Sequence, residues 1–481
     1  MACQPFDMAW RSWLLSSAIL VAVPQAGLAQ ETPPEPTVET ASDSSIPSDS
    51  VPVRKNYFVP LFDIVAFDFL VNRVGKTLID RDTYAVTWSS IKRNMKSPWV
   101  LDNDPFSINQ FLHPYQGSMY HGFARSAGLN YWESLGYTFA GSILWEIAGE
   151  TTLPSRNDQI ASGIGGSLLG EPLFRLAGVV LEGARLPRFW REWSAAAISP
   201  ATGFNRLAYG DRFRGEFPSR DPALFARLQF GAMATTSVRK SVTQSLTRNE
   251  AVADFSVDYG LPGKSGYTYH RPFDYFNFQF TTSTGSRVGD IFSRGLLAGR
   301  SYGETSDRTR GVWGLYGTYD YLAPQIFRVS STALAVGTTM QRQLSSSAAL
   351  QSTVLAGLGY GAAGAIRSSD ESGYHFGLTP QMLAAVRIVP GDRAAFDLTF
   401  RDYYVSRIAS TKLGGSERIA RADALFSVRL KNRHAASVRY TWTRRAATAA
   451  DPALSDIIQS RGAAGLFYTY LGGSPLAGTR D

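Results

Sequence analysis

His113, Ser118, Arg125, Glu133, Glu146, Glu150, Asp158 and Glu171 sit among glycines, alanines, phenylalanines and tryptophans, an unusual setting for groups of this polarity. Their types allow two kinds of chemistry. In a lipid-modifying hydrolase Ser118 would be the nucleophile, a histidine such as His113 the base, and Glu146 or Glu150 the group that orients it. No Gly-x-Ser-x-Gly elbow supports this, because Ser118 has only Gly117 beside it. In a metal site His113, Glu146 and Glu150 would be the ligands, but the chain has no His-Glu-x-x-His and no Glu-x-x-His pair. The third reading is structural, and it is the favoured one. Buried charges that pair with one another and cap helices imitate an active site. Glu146 and Glu150 are four residues apart and share a helix face, so they repel unless Arg125, Arg175, His113 or a metal ion compensates. If the segment binds a ligand, Tyr115, Arg125, Asp158 and Glu171 are the candidate contacts. No metal site and no cofactor is expected.

The segment that positions these residues, 56–200, has helical periodicity over 109–150 and 158–188, broken by glycine and proline. Small residues recur closely: Gly117, Gly122, Gly128, Gly136, Gly141 and Gly149, then Gly163, Gly165, Gly166 and Gly170. On helices they allow close backbone approach. The apolar runs are short and carry Glu146, Glu150, Glu171 and Arg175, so these helices are not expected to span a bilayer. A compact helical domain that plugs or underlies the C-terminal region is expected.

The string His113-Pro114-Tyr115-Gln116-Gly117-Ser118-Met119-Tyr120 resembles a bacterial exported family defined only as a domain of unknown function. Trp145-Glu146 followed by Glu150, Pro154-Ser155 with Asp158, and Gly170-Glu171 extend the resemblance. So do Trp99, Asp102, Asp104, Phe106 and Asn109, over about residues 95–180. The resemblance implies export and a β-rich C-terminus, and it implies no reaction. The family pattern has a second tyrosine after Tyr120, where this chain has His121.

From Arg227 onward polar and apolar residues alternate with period two. Asp254, Ser256 and Asp258 oppose Phe255, Val257 and Tyr259. Asn277, Gln279 and Thr281 oppose Phe276, Phe278 and Phe280. Asp397, Thr399 and Arg401 oppose Phe396, Leu398 and Phe400. Arg439, Thr441 and Thr443 oppose Val438, Tyr440 and Trp442. Either a soluble sandwich or a transmembrane barrel alternates in this way. Segments of about 9 to 12 residues suit tilted membrane strands. Tyr259, Tyr321, Tyr404, Trp442 and Tyr470 fall at segment ends, where interfacial girdles belong. A transmembrane antiparallel barrel of about twelve strands over 225–472 is therefore expected, with a tail at 473–481. The chain does not end on an aromatic residue, unlike many such barrels. His270, His375 and His434 are expected at strand ends or turns, facing solvent or the interface.

The N-terminus points to export. Arg11, an apolar core ending at Val23, Pro24 and Gly27-Leu28-Ala29 read as a signal peptide over 1–29, cleaved near Ala29. An acidic Pro/Ser/Thr linker, 30–55, follows and carries Glu31, Glu35, Glu39, Asp43 and Asp49. The one cysteine, Cys3, excludes a disulfide framework and a thiolate zinc cluster. Charged residues are 18% of the chain, below the ordinary share of about 25%, and the net charge is +8. After export, nucleic acid is not the expected partner of that basic balance. Outer-membrane lipid and lipopolysaccharide are, with a small or lipidic ligand. The expected function is a non-enzymatic envelope role at the bacterial outer membrane, structural or in binding or passage of that ligand. A lipid hydrolase and a secreted soluble β-rich binding protein are the alternatives.

Overall fold

The structure, a computed structural model, describes residues 55–473 except 103, 184–185, 211–220, 240–246, 265, 304–307, 366–372, 392, 408–414 and 449–456. The expected signal peptide, nearly all of the acidic linker and the C-terminal tail lie outside those residues. Helices come first: α1 (Phe58–Leu78), α2 (Trp88–Lys96), α3 (His113–Ser126), α4 (Tyr131–Ala148), α5 (Gly166–Glu182), α6 (Arg188–Ile198) and α7 (Pro200–Tyr209). Two of them continue from wider π-helical turns, Ile108–Leu112 before α3 and Gln159–Gly165 before α5. Helix is thus continuous over 108–126 and 156–182, with an extra residue accommodated in each π segment, and it breaks at 127–130 between α3 and α4.

The α3–α5 contact shows why this stretch is rich in glycine. A Cβ on Gly117 would meet the Ser162 carbonyl oxygen at 2.0 Å, and one on Gly166 would meet the Gly117 Cα at 2.6 Å. Asn130 and Glu133 form a reciprocal capping box at the start of α4. Glu133 also accepts from Lys55 Nζ at 2.8 Å, so it is a surface cap.

Twelve strands follow: β1 (Leu224–Arg239), β2 (Asn249–Tyr259), β3 (Phe276–Ser283), β4 (Asp290–Tyr302), β5 (Thr309–Leu322) and β6 (Phe327–Gln343), then β7 (Ala348–Ala365), β8 (Tyr374–Pro390), β9 (Ala394–Val405), β10 (Glu417–Lys431), β11 (His434–Ala447) and β12 (Ile457–Gly473). All neighbours are antiparallel, and β1 pairs with β12 from Phe225 opposite Gly473 to Arg239 opposite Ser460. The sheet is therefore a closed barrel with no free edge. Several strands outrun the alternating segments, with β6, β8 and β12 at 17 residues and β7 at 18. Alanine, glycine, serine and threonine fill much of β7, which blurs the polar–apolar contrast there.

The alternating residues divide as a membrane barrel requires. Leu334, Val336, Leu358, Leu398, Phe426, Val438 and Leu466 are exposed on the outer wall. Arg227, Asp254, Arg387, Arg421 and Arg439 are inside and pair across the lumen, and Arg401 pairs with Asp423 on the neighbouring strand. Arg227 of β1 meets Asp397 of β9 at 2.8 Å, and Arg421 of β10 meets Asp290 of β4 at 2.8 Å. Tyr403 of β9 donates to Asp320 of β5 at 2.9 Å.

The helices do not plug this lumen or sit beneath it, which corrects the expectation from sequence. They pack on the outer wall. In β5, Thr318 and Asp320 bond across the interior, so Tyr319 and Tyr321 face outward. Tyr319 donates its hydroxyl to the Gln110 carbonyl at 2.5 Å, and Phe106 packs on Tyr321 with ring centroids 5.7 Å apart. Ser293 of β4 likewise faces outward and donates to the Leu168 carbonyl at 2.6 Å. Tyr374 of β8 donates to the Asp104 carbonyl at 2.7 Å. The lumen is crossed by its own ion pairs. Tyr259 and Tyr321, expected in an interfacial girdle, are buried under the helices instead. His375 is a second correction: it is buried and lies 3.7 Å from Glu417, itself paired with Arg445.

Candidate functional site

Two polar networks are buried in the helical domain, and they balance charge in opposite ways. The first collects carboxyl groups. Asp102 and Asp104 come from the loop before the first π turn, Glu146 from the last turn of α4, and Glu150 from just beyond its end. Asp158 closes a short helical turn, Arg156–Asp158, that leads into the second π segment. Ser155 caps that turn, accepting from the Asp158 N–H, while its own N–H donates to Glu146 Oε2 at 2.7 Å. Asn157 and Asn109 both donate to Asp102 Oδ1, at 2.8 and 2.6 Å. Trp145 Nε1 donates to Glu150 Oε1 at 2.7 Å. His113 Nε2 lies 3.7 Å from Asp158 Oδ2.

Cations are scarce here, and burial pushes several of the carboxyl groups toward the protonated form. Burial, reinforced by Glu150, pushes the Glu146 carboxyl up. Burial and Asp102 push Asp158 up. Burial and Asp102 also raise Asp104, to about 6. Burial lowers His113 and keeps it neutral. Burial and the neighbouring Glu150 favour a proton on Glu146, and the arginines proposed from sequence are engaged elsewhere. Among the described residues no three of His, Cys, Asp or Glu are placed to hold a metal ion.

The second network is built on Glu171 of α5, which is fully buried. His121 Nε2 lies 3.0 Å from its Oε2, Arg125 Nε donates to Oε2 at 2.7 Å, and Arg175 Nε donates to Oε1 at 2.8 Å. Arg175 reaches on to Asp274 and to the Pro272 carbonyl in the β2–β3 connection, tying the helical domain to the barrel. Burial alone would raise Glu171, but Arg125, the His121 hydrogen bond and Arg175 outweigh it and hold the carboxyl well below its usual range. Burial lowers His121, and among the described residues its Nδ1 finds no hydrogen-bond partner. Apart from both networks, the buried carboxyl of Asp68 on α1 accepts from Tyr120, and burial raises it to about 7.

The residues singled out from sequence are therefore brought together in two groups, not one. Glu146, Glu150, Asp158 and His113 share the acidic cluster, and Arg125 and Glu171 share the second network. Ser118 belongs to neither. Its Oγ donates to the Tyr115 carbonyl at 2.6 Å, a helix-local bond. No bond joins it to a histidine among the described contacts, so the geometry supplies no activated nucleophile. Tyr115 packs its ring near Phe111. Sequence reasoning missed Asn157 and Asp68, and it gave His121 no role. The signal for His121 was present: it lies eight residues after His113 and four before Arg125, on the α3 face that meets α5.

Residues 98–201 match the family model of a domain of unknown function, DUF3943, in agreement with the resemblance read from the sequence. Both networks draw nearly all their members from that segment. No curated protein matches the chain. Among solved structures it is similar to the NanC porin, with 8% identity over 50% of this chain and 98% of that one and a TM-score of 0.27. It is also similar to an anion-selective porin from Comamonas acidovorans, at 10% identity over 52% and 98% with a TM-score of 0.23. The translocator domain of the autotransporter NalP from Neisseria meningitidis matches at 14% over 51% and 87%, with a TM-score of 0.22.

Proposed function

We propose that the protein spans the bacterial outer membrane and has a non-enzymatic envelope role, the barrel acting as an anchor that holds the helical domain. The observation that carries this reading is the polarity of the barrel wall. Large apolar side chains are exposed outside while arginine and aspartate pair inside, the arrangement that suits lipid outside and a sealed lumen within. Ion pairs between strands on opposite sides of the barrel oppose a constitutively open pore. Passage of even a small solute requires those pairs to part, which favours binding or scaffolding as the main role. Outer-membrane lipid, including lipopolysaccharide, is the partner that the apolar wall fits, and a small or lipidic ligand is the class that the helical domain would handle.

The test is membrane fractionation with electrophoresis of boiled and unboiled samples, followed by conductance in a planar bilayer. The reading expects outer-membrane recovery, a mobility shift on boiling and little steady conductance. Recovery in a soluble fraction without a shift overturns the barrel anchor. A large steady conductance of the unaltered protein overturns the sealed lumen.

A further inference from the structure

We propose that the helical domain lies in the bilayer beside the barrel, its outward helix faces in contact with lipid acyl chains. This rests on the reading of the barrel as membrane-spanning. The first observation is that α1 is inverted. A helix on a water-soluble domain turns its apolar face inward and its polar face out. In α1 the residues facing inward include Asp63 and Asp68, which accept hydrogen bonds from Tyr209 and Tyr120. The residues facing outward are Phe58, Leu61, Phe62, Val65, Phe69 and Leu70, with Phe58 82% exposed. Their spacing of three and four places them on one face.

The second observation is that the inversion continues around the domain. α6 exposes Phe189, Trp190 and Trp193, and α7 exposes Phe204 and Leu207, the last 86% exposed. Beneath this surface lie Glu146, Asp158, Glu171, His121 and Asn109, all buried. A domain with a polar centre and an apolar surface has the polarity of a body surrounded by hydrocarbon, where every internal polar group needs an internal partner. Tryptophan and arginine together on α6 suit the edge of that hydrocarbon, where aromatic rings gather.

The third observation fixes the occupant. The domain is seated on outward side chains of β4, β5 and β8, through Ser293, Tyr319 and Tyr374. The rest of that wall continues as the apolar band of Val336, Leu398 and Leu466. The helices are seated on that outer wall, so the medium that surrounds the wall also meets their apolar faces. The acyl region of the surrounding bilayer is that medium. Single apolar residues on a protein surface need no such explanation, but a contiguous face does.

The experiment is site-directed spin labelling of the full chain in phosphatidylcholine and phosphatidylglycerol vesicles. Cys3 is replaced by serine, and single labels are placed through Val65→Cys and Phe69→Cys on α1. Leu466→Cys reports on the barrel wall and Asn432→Cys on the β10–β11 turn. Collision rates with oxygen and with a water-soluble nickel chelate are compared, and the boiling shift confirms folding of each variant. The proposal expects the α1 labels to match the Leu466 label, with an oxygen-to-nickel ratio several-fold above that at Asn432. Overturning results are α1 labels that match Asn432, which places α1 in water, or labels shielded from both probes, which means that a protein partner covers it. If the Leu466 label also behaves as water-exposed, the barrel reading itself has failed, and the two failures are thereby told apart.

Discussion

The acidic cluster around Glu146 and the network around Glu171 lie in the same helical domain, are equally dry, and solve one problem in opposite ways. Glu171 is surrounded by two arginines and a histidine, and it keeps its charge. Glu146 and Asp158 have carboxyl and amide neighbours, and burial pushes both toward the protonated form. The difference teaches what each group is for. A charged, fully ligated carboxylate locks two helices, α3 and α5, and a barrel connection in place. A protonated cluster is a store of titratable groups whose ionisation strains the fold. The lumen follows the first pattern, with arginine and aspartate paired strand to strand.

The largest effect is expected from breaking the locked network. Arg125→Met removes two of the hydrogen bonds to Glu171 and leaves a buried charge short of a partner, which should destabilise the helical domain by about 3–5 kcal/mol. Urea denaturation followed by circular dichroism would read it. Arg125→Lys should rescue little, since the two-point contact needs a guanidinium. Next in size is the lumen. Asp397→Asn strips the carboxylate shared by Arg227 and Arg387 and should lower barrel stability by about 2–3 kcal/mol. The heat-induced mobility shift should then occur at a lower temperature.

The acidic cluster should respond far less to neutralisation. Glu146→Gln replaces a protonated carboxyl with a group of the same shape that still accepts from the Ser155 N–H, so the cost should stay within about 1 kcal/mol. Its signature is in pH. Asp68 titrates near 7 and Asp104 near 6 in the folded chain, above the value of 3.8 for a free aspartate. The native state then holds protons that the unfolded chain has released. Stability should fall as pH rises from about 4 to about 7 across that window. Glu171 acts in the opposite sense: its contribution is present above the free glutamate value of 4.5 and is lost at strongly acid pH. Melting of the helical signal at pH 5 and pH 8, with Asp68→Asn flattening the difference, tests the sign. The smallest effect belongs to Ser118→Ala. Losing one helix-local hydrogen bond should change stability by less than about 1 kcal/mol. A larger loss in any catalytic readout would restore the hydrolase reading.

The barrel was legible in the sequence because alternation reports directly on two different environments. Asp254 and Phe255 could hardly be exchanged without placing a charge on the outer wall. The seat of the helices was not legible, for a related reason. Phe255, Val257, Phe276 and Phe278 are the same apolar outward residues whether a helix or lipid covers them. Tyr259 and Tyr321 looked like girdle residues for that reason and are in fact the floor beneath the helices. The site was half legible. Glu146, Asp158 and Glu171 stood out as polar groups in an apolar run, but their division into two networks depends on which face of α3 and α5 each occupies. The π turns decide that, and they leave no mark in residue type.

Those two wide turns give the helical domain an uneven tolerance to changes in chain length. Each holds one residue more than a regular helix needs, and each ends or begins beside a member of the acidic cluster: His113 follows the first, and Asp158 precedes the second. Deleting a single residue from 159–165 would draw the wide turn in to regular helix, and Glu171 would stay close to its place between Arg125 and His121. Deleting one from the regular helix at 167–169 would turn Glu171 by about 100° relative to Asp158 and swing it away from both. The π turn is thus a reserve of chain length, through which two charge systems of opposite character share one helix and can lose a residue between them without losing their neighbours.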